Sequence, residues 1–282
     1  MEFDLLCRIV ACCFLQSLVI YGFNIDIKKP VIFSGPQGSE YFGYSVALHS
    51  QGSLYWVLVG APKSNVTART GGETLVRYGA AFRCQYPGDK PCDEIIIDKT
   101  PAAEIDIGNS RYKSEEKEGM WLGAVVTSTG KNGKAMACAP RYALRTVSSQ
   151  TINDYWPLGQ CFGLESDLYG ATPKEIFSPC ETEQKGNKNF GYCQAGFSAE
   201  YTTHDGQEFL IGAVGATSFK GVLFFKEPSN QEYFRSVVDQ LHDSNYMGYS
   251  VASGSFTDPR GRRIEYVGGS PRADKVKGKV KI

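Results

Sequence analysis

The chain of 282 residues is 42% hydrophobic, enough to bury a substantial core as one large domain or two small ones. Thirty basic residues balance thirty acidic ones, so no net field draws the chain to nucleic acid or to an anionic membrane surface. With 31 glycines, 16 Phe and 16 Tyr, and few apolar residues at helical spacing, the composition predicts short strands joined by tight turns, an all-β fold.

In chain order, Arg8 is followed by a mostly apolar run from Ile9 to Ile20 that ends near Gly22. This is the length of a secretory signal peptide, predicted over residues 1–22, and it falls short of the ~20 apolar residues that a membrane span needs. Cleavage leaves a soluble chain, any membrane anchor being expected in sequence beyond Ile282. Cys7, Cys12 and Cys13 leave with the peptide, and Cys84, Cys92, Cys138, Cys161, Cys180 and Cys193 remain. An even number suits an oxidising compartment; six cysteines allow about fifteen pairings, and the short gaps favour neighbours: Cys84 with Cys92, Cys138 with Cys161, Cys180 with Cys193. Zinc is disfavoured, because there is no Cys-x-x-Cys and His49, His204 and His242 are scattered. Asn65-Val66-Thr67 is a glycosylation sequon suited to a surface loop of a secreted protein.

A repeat runs through the remainder, in four copies around residues 33–85, 115–165, 188–226 and 240–282. The first reads Tyr41-Phe42-Gly43-Tyr44-Ser45-Val46, then Leu58-Val59-Gly60-Ala61-Pro62, then Tyr78-Gly79-Ala80-Ala81-Phe82. Trp121-Leu122-Gly123, Gln194-Ala195-Gly196 and Tyr246-Met247-Gly248 open the other three. Glycine permits close strand approach or positive φ, alternating apolar residues supply one buried face, and the proline ends the strand. Three short strands are expected per copy. A sheet so small cannot cover both faces alone, so the copies must stack, and radial stacking gives a propeller; an ordinary β-sandwich or a solenoid is the alternative. The polar stretches from Ser64 to Glu73 and from Asp98 to Lys117 read as loops.

Phe42-Gly43 with Gly60-Ala61-Pro62 resembles the FG-GAP repeats of integrin alpha subunits, as do Phe23-Asn24-Ile25-Asp26, Leu58 through Asn65, Cys193 through Ser198 and Tyr246 through Ala252. Gly159-Gln160-Cys161-Phe162-Gly163 followed by Ser178-Pro179-Cys180 is similar to the alpha-four/alpha-nine group and to insect position-specific subunits. The resemblance covers residues 23–282. It implies a seven-bladed β-propeller of which this chain supplies the opening four blades, cut within the fourth, so that an unpaired edge would be left exposed.

The same resemblance implies a cell-adhesion receptor without catalytic activity, carried by the secretory pathway to the outer side of the plasma membrane. Its partners would be an integrin beta subunit, in a heterodimer, and an extracellular-matrix or cell-surface protein ligand. The aromatic residues Tyr44, Trp121, Phe197 and Tyr249 would form a cage for an Arg or Lys of the beta subunit, or else serve as core between blades. Asp243, with Phe219 and Ser218, would face the ligand, although Asp243 also fits a solvated loop charge. Lys188, where some relatives carry a second acid, and Ser218, in place of a tyrosine, argue against an Arg-Gly-Asp preference. No calcium is expected in this chain, since Thr257-Asp258-Pro259-Arg260-Gly261-Arg262 offers one carboxylate between two arginines; calcium belongs to the later blades. The absence of Asp-x-Ser-x-Ser and of an added domain after the second copy matches subunits lacking the inserted I domain. The competing classes are a secreted FG-GAP hydrolase similar to glycosylphosphatidylinositol-specific phospholipase D, which needs a separate catalytic domain, and a soluble propeller lectin.

Overall fold

A short strand with alternating apolar residues persists only where one face finds cover, and in this chain each sheet is covered by the next. The computed structural model describes residues 30–65, 78–88, 90–98, 100, 102–108, 111–147, 153–168, 175–203, 205–226, 234–235, 245–258, 260 and 263–282. The predicted signal peptide lies outside the described residues.

Strands β1 (Ser45–Gln51), β2 (Leu54–Ala61), β3 (Ala80–Tyr86) and β4 (Asp93–Ile95) form a first antiparallel sheet in that order. β5 (Glu104–Gly108) and β6 (Arg111–Glu116) begin a second sheet, and β7 (Val125–Ser128) and β8 (Ala135–Ala139) begin a third. β9 (Ala143–Val147) and β10 (Asn153–Pro157) complete the second, with order β10-β9-β6-β5. β11 (Gln160–Leu164) and β12 (Glu175–Phe177) complete the third, with order β12-β11-β8-β7. β13 (Ala195–Tyr201), β14 (Phe209–Ala213), β15 (Val222–Lys226) and β16 (Phe234–Arg235) make the fourth, and β17 (Val251–Gly254), β18 (Glu265–Ser270) and β19 (Lys279–Lys281) the fifth. The fold is all-β, and the sheets built from the repeat are blades of a partial propeller. They belong to one compact unit, Ser34–Ile282.

Two expectations from the sequence change here. The stretch from Asp98 to Lys117 is not a loop, since β5 and β6 lie within it and β6 pairs with β9 from Tyr112↔Val147 to Glu116↔Ala143. Lys113, Ser114, Glu115 and Glu116 are only half-buried, so the strand lacks the apolar alternation that would have marked it. The first, third and fourth sheets also have a fourth, outer strand, in β4, β12 and β16.

Consecutive repeat sheets meet main chain against main chain. Gly79 and Gly221 form parallel bridges with Leu122 and Met247, and Ala195 N donates to Leu158 O at 2.8 Å beside Gly159. A Cβ on Gly79, Gly159 or Gly221 would strike the carbonyl of Leu122, Ala195 or Met247 respectively. Likewise Gly60 and Gly212 leave room for the carbonyls of Gly123 and Gly248, and those carbonyls accept hydrogen bonds from Ser45 Oγ (2.9 Å) and Ser198 Oγ (2.7 Å). In the third sheet Cys138 stands at that glycine position, disulfide-bonded to Cys161 directly across the ladder, and Gly196 provides the space. Phe162, Met136, Ile211 and Phe224 are fully enclosed between sheets, each such burial being worth about 1.5–3 kcal/mol. The other two disulfides join Cys84 to Cys92 and Cys180 to Cys193.

A polar contact fastens the first blade to the second. His49, 3% exposed in β1, lies with Nδ1 2.8 Å from Ser128 Oγ of β7 and Nε2 2.8 Å from the Ser166 carbonyl, its ring stacked on Trp56. A carbonyl can only accept, so Nε2 carries the proton and Nδ1 accepts from the serine hydroxyl. Burial lowers the imidazole pKa, and the bond to Ser166 offsets only part of that. The unfolded chain therefore takes up the proton first, and this contribution is complete above the ordinary value of 6.5 and lost as pH falls through the lower folded value.

Two outcomes follow for the purified protein. Its urea midpoint should decline between about pH 7 and pH 5, and His49→Gln should flatten that decline; an unchanged slope would remove His49 as its source. Gly123→Ala places a Cβ against the Ala80 carbonyl at a residue with φ of +85°, and thermal unfolding should report a loss of roughly 2–4 kcal/mol.

Candidate functional site

The residue two places before each anchor glycine has positive φ: Tyr41 (61°), Trp121 (63°), Gln194 (55°) and Tyr246 (58°). This left-handed step turns its side chain away from the strand that follows. Three of these residues are aromatic, and each carries a cation from the residue after the proline of its own copy. Lys63 Nζ lies 4.5 Å from the Tyr41 ring centroid, Arg141 Cζ 5.3 Å from that of Trp121, and Arg272 Cζ 4.9 Å from that of Tyr246. Lys63 and Arg272 also donate to the two tyrosine hydroxyls, at 3.3 and 3.1 Å. The third copy has Gln194 and Gly215 at these places. There the main chain of Tyr192 fills the space a side chain would need, and Gly215 N donates to Cys193 O at 3.1 Å.

The turn leading into Trp121 is held from below by a buried ion network. Lys117 Nζ, with its side chain 3% exposed, contacts Asp98 Oδ2 at 2.7 Å and Glu115 Oε2 at 3.4 Å. It also donates to Thr100 Oγ1 (3.0 Å) and Thr100 O (3.1 Å), while its own carbonyl accepts from Met120 N at 3.1 Å. Burial alone would raise the Asp98 carboxyl, but hydrogen bonds from Lys117 and Thr100 hold it below its ordinary value. Glu115 Oε1 accepts from the Tyr142 hydroxyl at 2.7 Å; burial, with that carboxylate beside it, pushes the Tyr142 pKa far up, so it stays a donor.

The four aromatic residues singled out from the sequence stand as two pairs. Tyr44 meets Trp121 edge to face at 5.9 Å, and Phe197 meets Tyr249 at 4.9 Å. Each pair spans a junction between repeat sheets. Tyr44, Phe197 and Tyr249 follow their anchor glycines, whereas Trp121 precedes its own by two, and the residue of equal register in the second copy is the buried Ala124.

Of the ligand set, Asp243 lies outside the described residues. Ser218 and Phe219 sit in the one-turn element Ala216–Phe219, where Thr217, Ser218 and Phe219 all have positive φ. That turn is bound to the loop closed by Cys180–Cys193: Thr217 N donates to Asn189 O at 2.6 Å and Ser218 N to Asn187 O at 3.2 Å. Lys185 stiffens the same loop by donating to the carbonyls of Cys180, Glu181 and Glu183 at 3.0, 2.6 and 2.6 Å. Lys188, between the two anchoring asparagines, is exposed. Phe219, 39% exposed, belongs to a row of rings absent from the sequence reading: Trp156 to Tyr192 (6.0 Å), Tyr192 to Phe219 (6.3 Å) and Phe219 to Tyr246 (6.1 Å). Tyr192 beside Cys193 and Tyr246 at the start of a copy were visible in sequence, but only the left-handed turn brings them together.

Asn65 of the sequon is exposed, its N–H donating to Gly38 O at 3.1 Å. In the loop weighed as a calcium site, Asp258 Oδ1 accepts from Arg260 N at 2.9 Å. Among the described residues no group of three or more His, Cys, Asp or Glu is arranged to hold a metal ion. No helix among them is long and apolar enough to cross a membrane.

Comparison with known proteins finds the chain 32% identical to integrin alpha-8 of Homo sapiens over 286 residues, 95% of this chain and 25% of that protein. It is 32% identical to integrin alpha-V of Gallus gallus over 93% of the chain and 30% identical to integrin alpha-4 of Xenopus laevis over 92%, again matching about a quarter of each. The chain thus spans about a quarter of the length of these curated relatives. No family model matches it.

The ion network gives a direct test. Lys117→Met leaves Asp98 charged and buried without its partner, and thermal unfolding should show a loss of about 3 kcal/mol. Adding Asp98→Asn should recover part of it; a double variant no better than the single would show that the aliphatic stem, and not the charge, matters.

Proposed function

We infer that this chain, which belongs to the integrin alpha family over the stretch it shares with its relatives, contributes docking surface to the head of a cell-adhesion receptor. It reaches the cell surface through the secretory pathway after loss of residues 1–22 and is glycosylated at Asn65. It pairs with an integrin beta subunit through the ring pairs Tyr44–Trp121 and Phe197–Tyr249. An extracellular-matrix or cell-surface protein ligand docks beside Ser218, Phe219 and Asp243, and adhesion signals pass through the assembled heterodimer. The chain carries out no catalysis, and calcium is held by blades that follow these four.

The observation that carries this reading is the match to integrin alpha subunits over 95% of the chain. Geometry adds support. The ring pairs bridge consecutive blades, where a partner would sense their alignment, and the turn of Ser218 and Phe219 is braced by a disulfide-closed loop.

Expression of the full-length product in cells with each available beta subunit, followed by co-precipitation and adhesion to a panel of matrix proteins, tests the reading. One beta subunit should co-precipitate, and Asp243→Ala should cut adhesion about tenfold at equal surface display. Capture of no beta subunit would overturn the pairing, and full adhesion by the variant would remove Asp243 from the ligand site.

A further inference from the structure

The second sheet meets the outer strands of the third across a cavity of about 390 Å³. β6 lines it with Glu115, β9 with Leu144, β11 with Gln160 and β12 with Ile176, and Ser178 follows β12. Its size suits a ring-sized molecule better than a stretch of chain.

Gln160 is 6% exposed, and its Nε2 donates to Ser178 Oγ at 2.8 Å. A side-chain amide has two N–H donors and a carbonyl, and a serine hydroxyl that accepts one bond still has its own proton to give. Among the described residues the second amide N–H, the amide carbonyl and the serine proton have no protein partner, and both side chains line the cavity. A buried amide used by half in this way loses hydrogen-bond energy unless something polar in the cavity meets it.

Charge then selects the class of molecule. Lys113 Nζ faces Glu181 Oε1 at 3.5 Å across the lining. Glu115 is held by Lys117 Nζ at 3.4 Å, by the Tyr142 hydroxyl at 2.7 Å and by Ala103 N at 2.9 Å. Each charged group lining the cavity thus already faces an opposite one, and an entering ion would lose hydration without meeting an unmatched charge. A neutral molecule rich in hydroxyls incurs no such penalty, since each hydroxyl both gives and accepts, as the free N–H, carbonyl and O–H require. Ile176, 53% exposed, and Leu144 add an apolar wall.

We propose that this cavity binds a neutral sugar ring, with Gln160 and Ser178 as the recognising pair and Ile176 as the wall on which the C–H face of the ring packs. The site shares no residue with the ring pairs or with the turn of Ser218 and Phe219, and it depends on neither a beta subunit nor a protein ligand.

The test is saturation-transfer NMR on the full-length chain, freed of its own N-linked glycans. The probes are galactose, glucose, mannose and N-acetylglucosamine, free and as methyl glycosides. At least one should bind with a Kd in the millimolar range. Ser178→Ala should weaken that binding about fivefold or more, and Ile176→Trp, which fills the cavity without touching its polar groups, should abolish it at an unchanged thermal midpoint. Binding of the free sugar alone would assign a free monosaccharide, and binding of a methyl glycoside the terminal residue of a glycan. Transfer to none of the probes, or transfer that persists in Ile176→Trp, would overturn the proposal. Binding of putrescine or sulfate in place of a sugar, lost in Ile176→Trp, would overturn the neutral class.

Discussion

The contact on which everything else rests is the approach of one blade's main chain to the next, which glycine alone permits. At the successive junctions Gly79 faces Leu122, Gly159 faces Ala195 and Gly221 faces Met247, and at each a single Cβ would occupy the space of a carbonyl oxygen. Backbone hydrogen bonds cross the same seams, among them Leu122 N to Tyr78 O at 2.9 Å and Met247 N to Lys220 O at 2.9 Å. Hydrophobic burial between blades is non-directional and would tolerate sliding. The glycine seams do not, since a slip by one residue would bring a side chain against the neighbouring backbone. Stability therefore comes mainly from the core and register mainly from the seams.

That register is what places the aromatic side chains at the blade junctions. An anchor glycine with positive φ lets the preceding turn end in a left-handed residue, and in the first, second and fourth copies the ring at that residue meets the cation after the same copy's proline. Residues just after the anchor glycine then face across the seam, as Tyr44 does toward Trp121 and Phe197 toward Tyr249. The second copy departs from this pattern by having the buried Ala124 after its glycine, and so presents Trp121 from the other side of the anchor.

The sequence made the repeat legible because glycine, proline and alternating apolar residues recur in fixed order, and those constraints are local to each copy. The short gaps between cysteines agree with the pairs Cys84–Cys92, Cys138–Cys161 and Cys180–Cys193. The second sheet was not legible. β6 carries Lys113, Ser114, Glu115 and Glu116, and its partner β9 enters from within the next blade, so neither periodicity nor neighbourhood reveals it. The same holds for Lys117, which looked like one more charge in a polar stretch. Its role follows from Asp98 and Glu115 meeting it in three dimensions, a contact that requires the unanticipated sheet. The ring row from Trp156 to Tyr246 was hidden for a related reason, since its members come from four segments whose order in space is set by turns with positive φ.

The third copy shows how such a repeat acquires an individual surface. Where the other copies place Lys63, Arg141 and Arg272 over a ring, it has Gly215 opposite Gln194. A side chain at 215 would strike the Tyr192 carbonyl, so the loop closed by Cys180 and Cys193 can lie against this copy only because the cation has been given up. Once there, the loop supplies Asn187 and Asn189 carbonyls to Ser218 N and Thr217 N, and these bonds hold the left-handed turn that exposes Phe219. Gly215 is thus as necessary to that surface as any residue that a ligand would touch, although it contributes no side chain of its own.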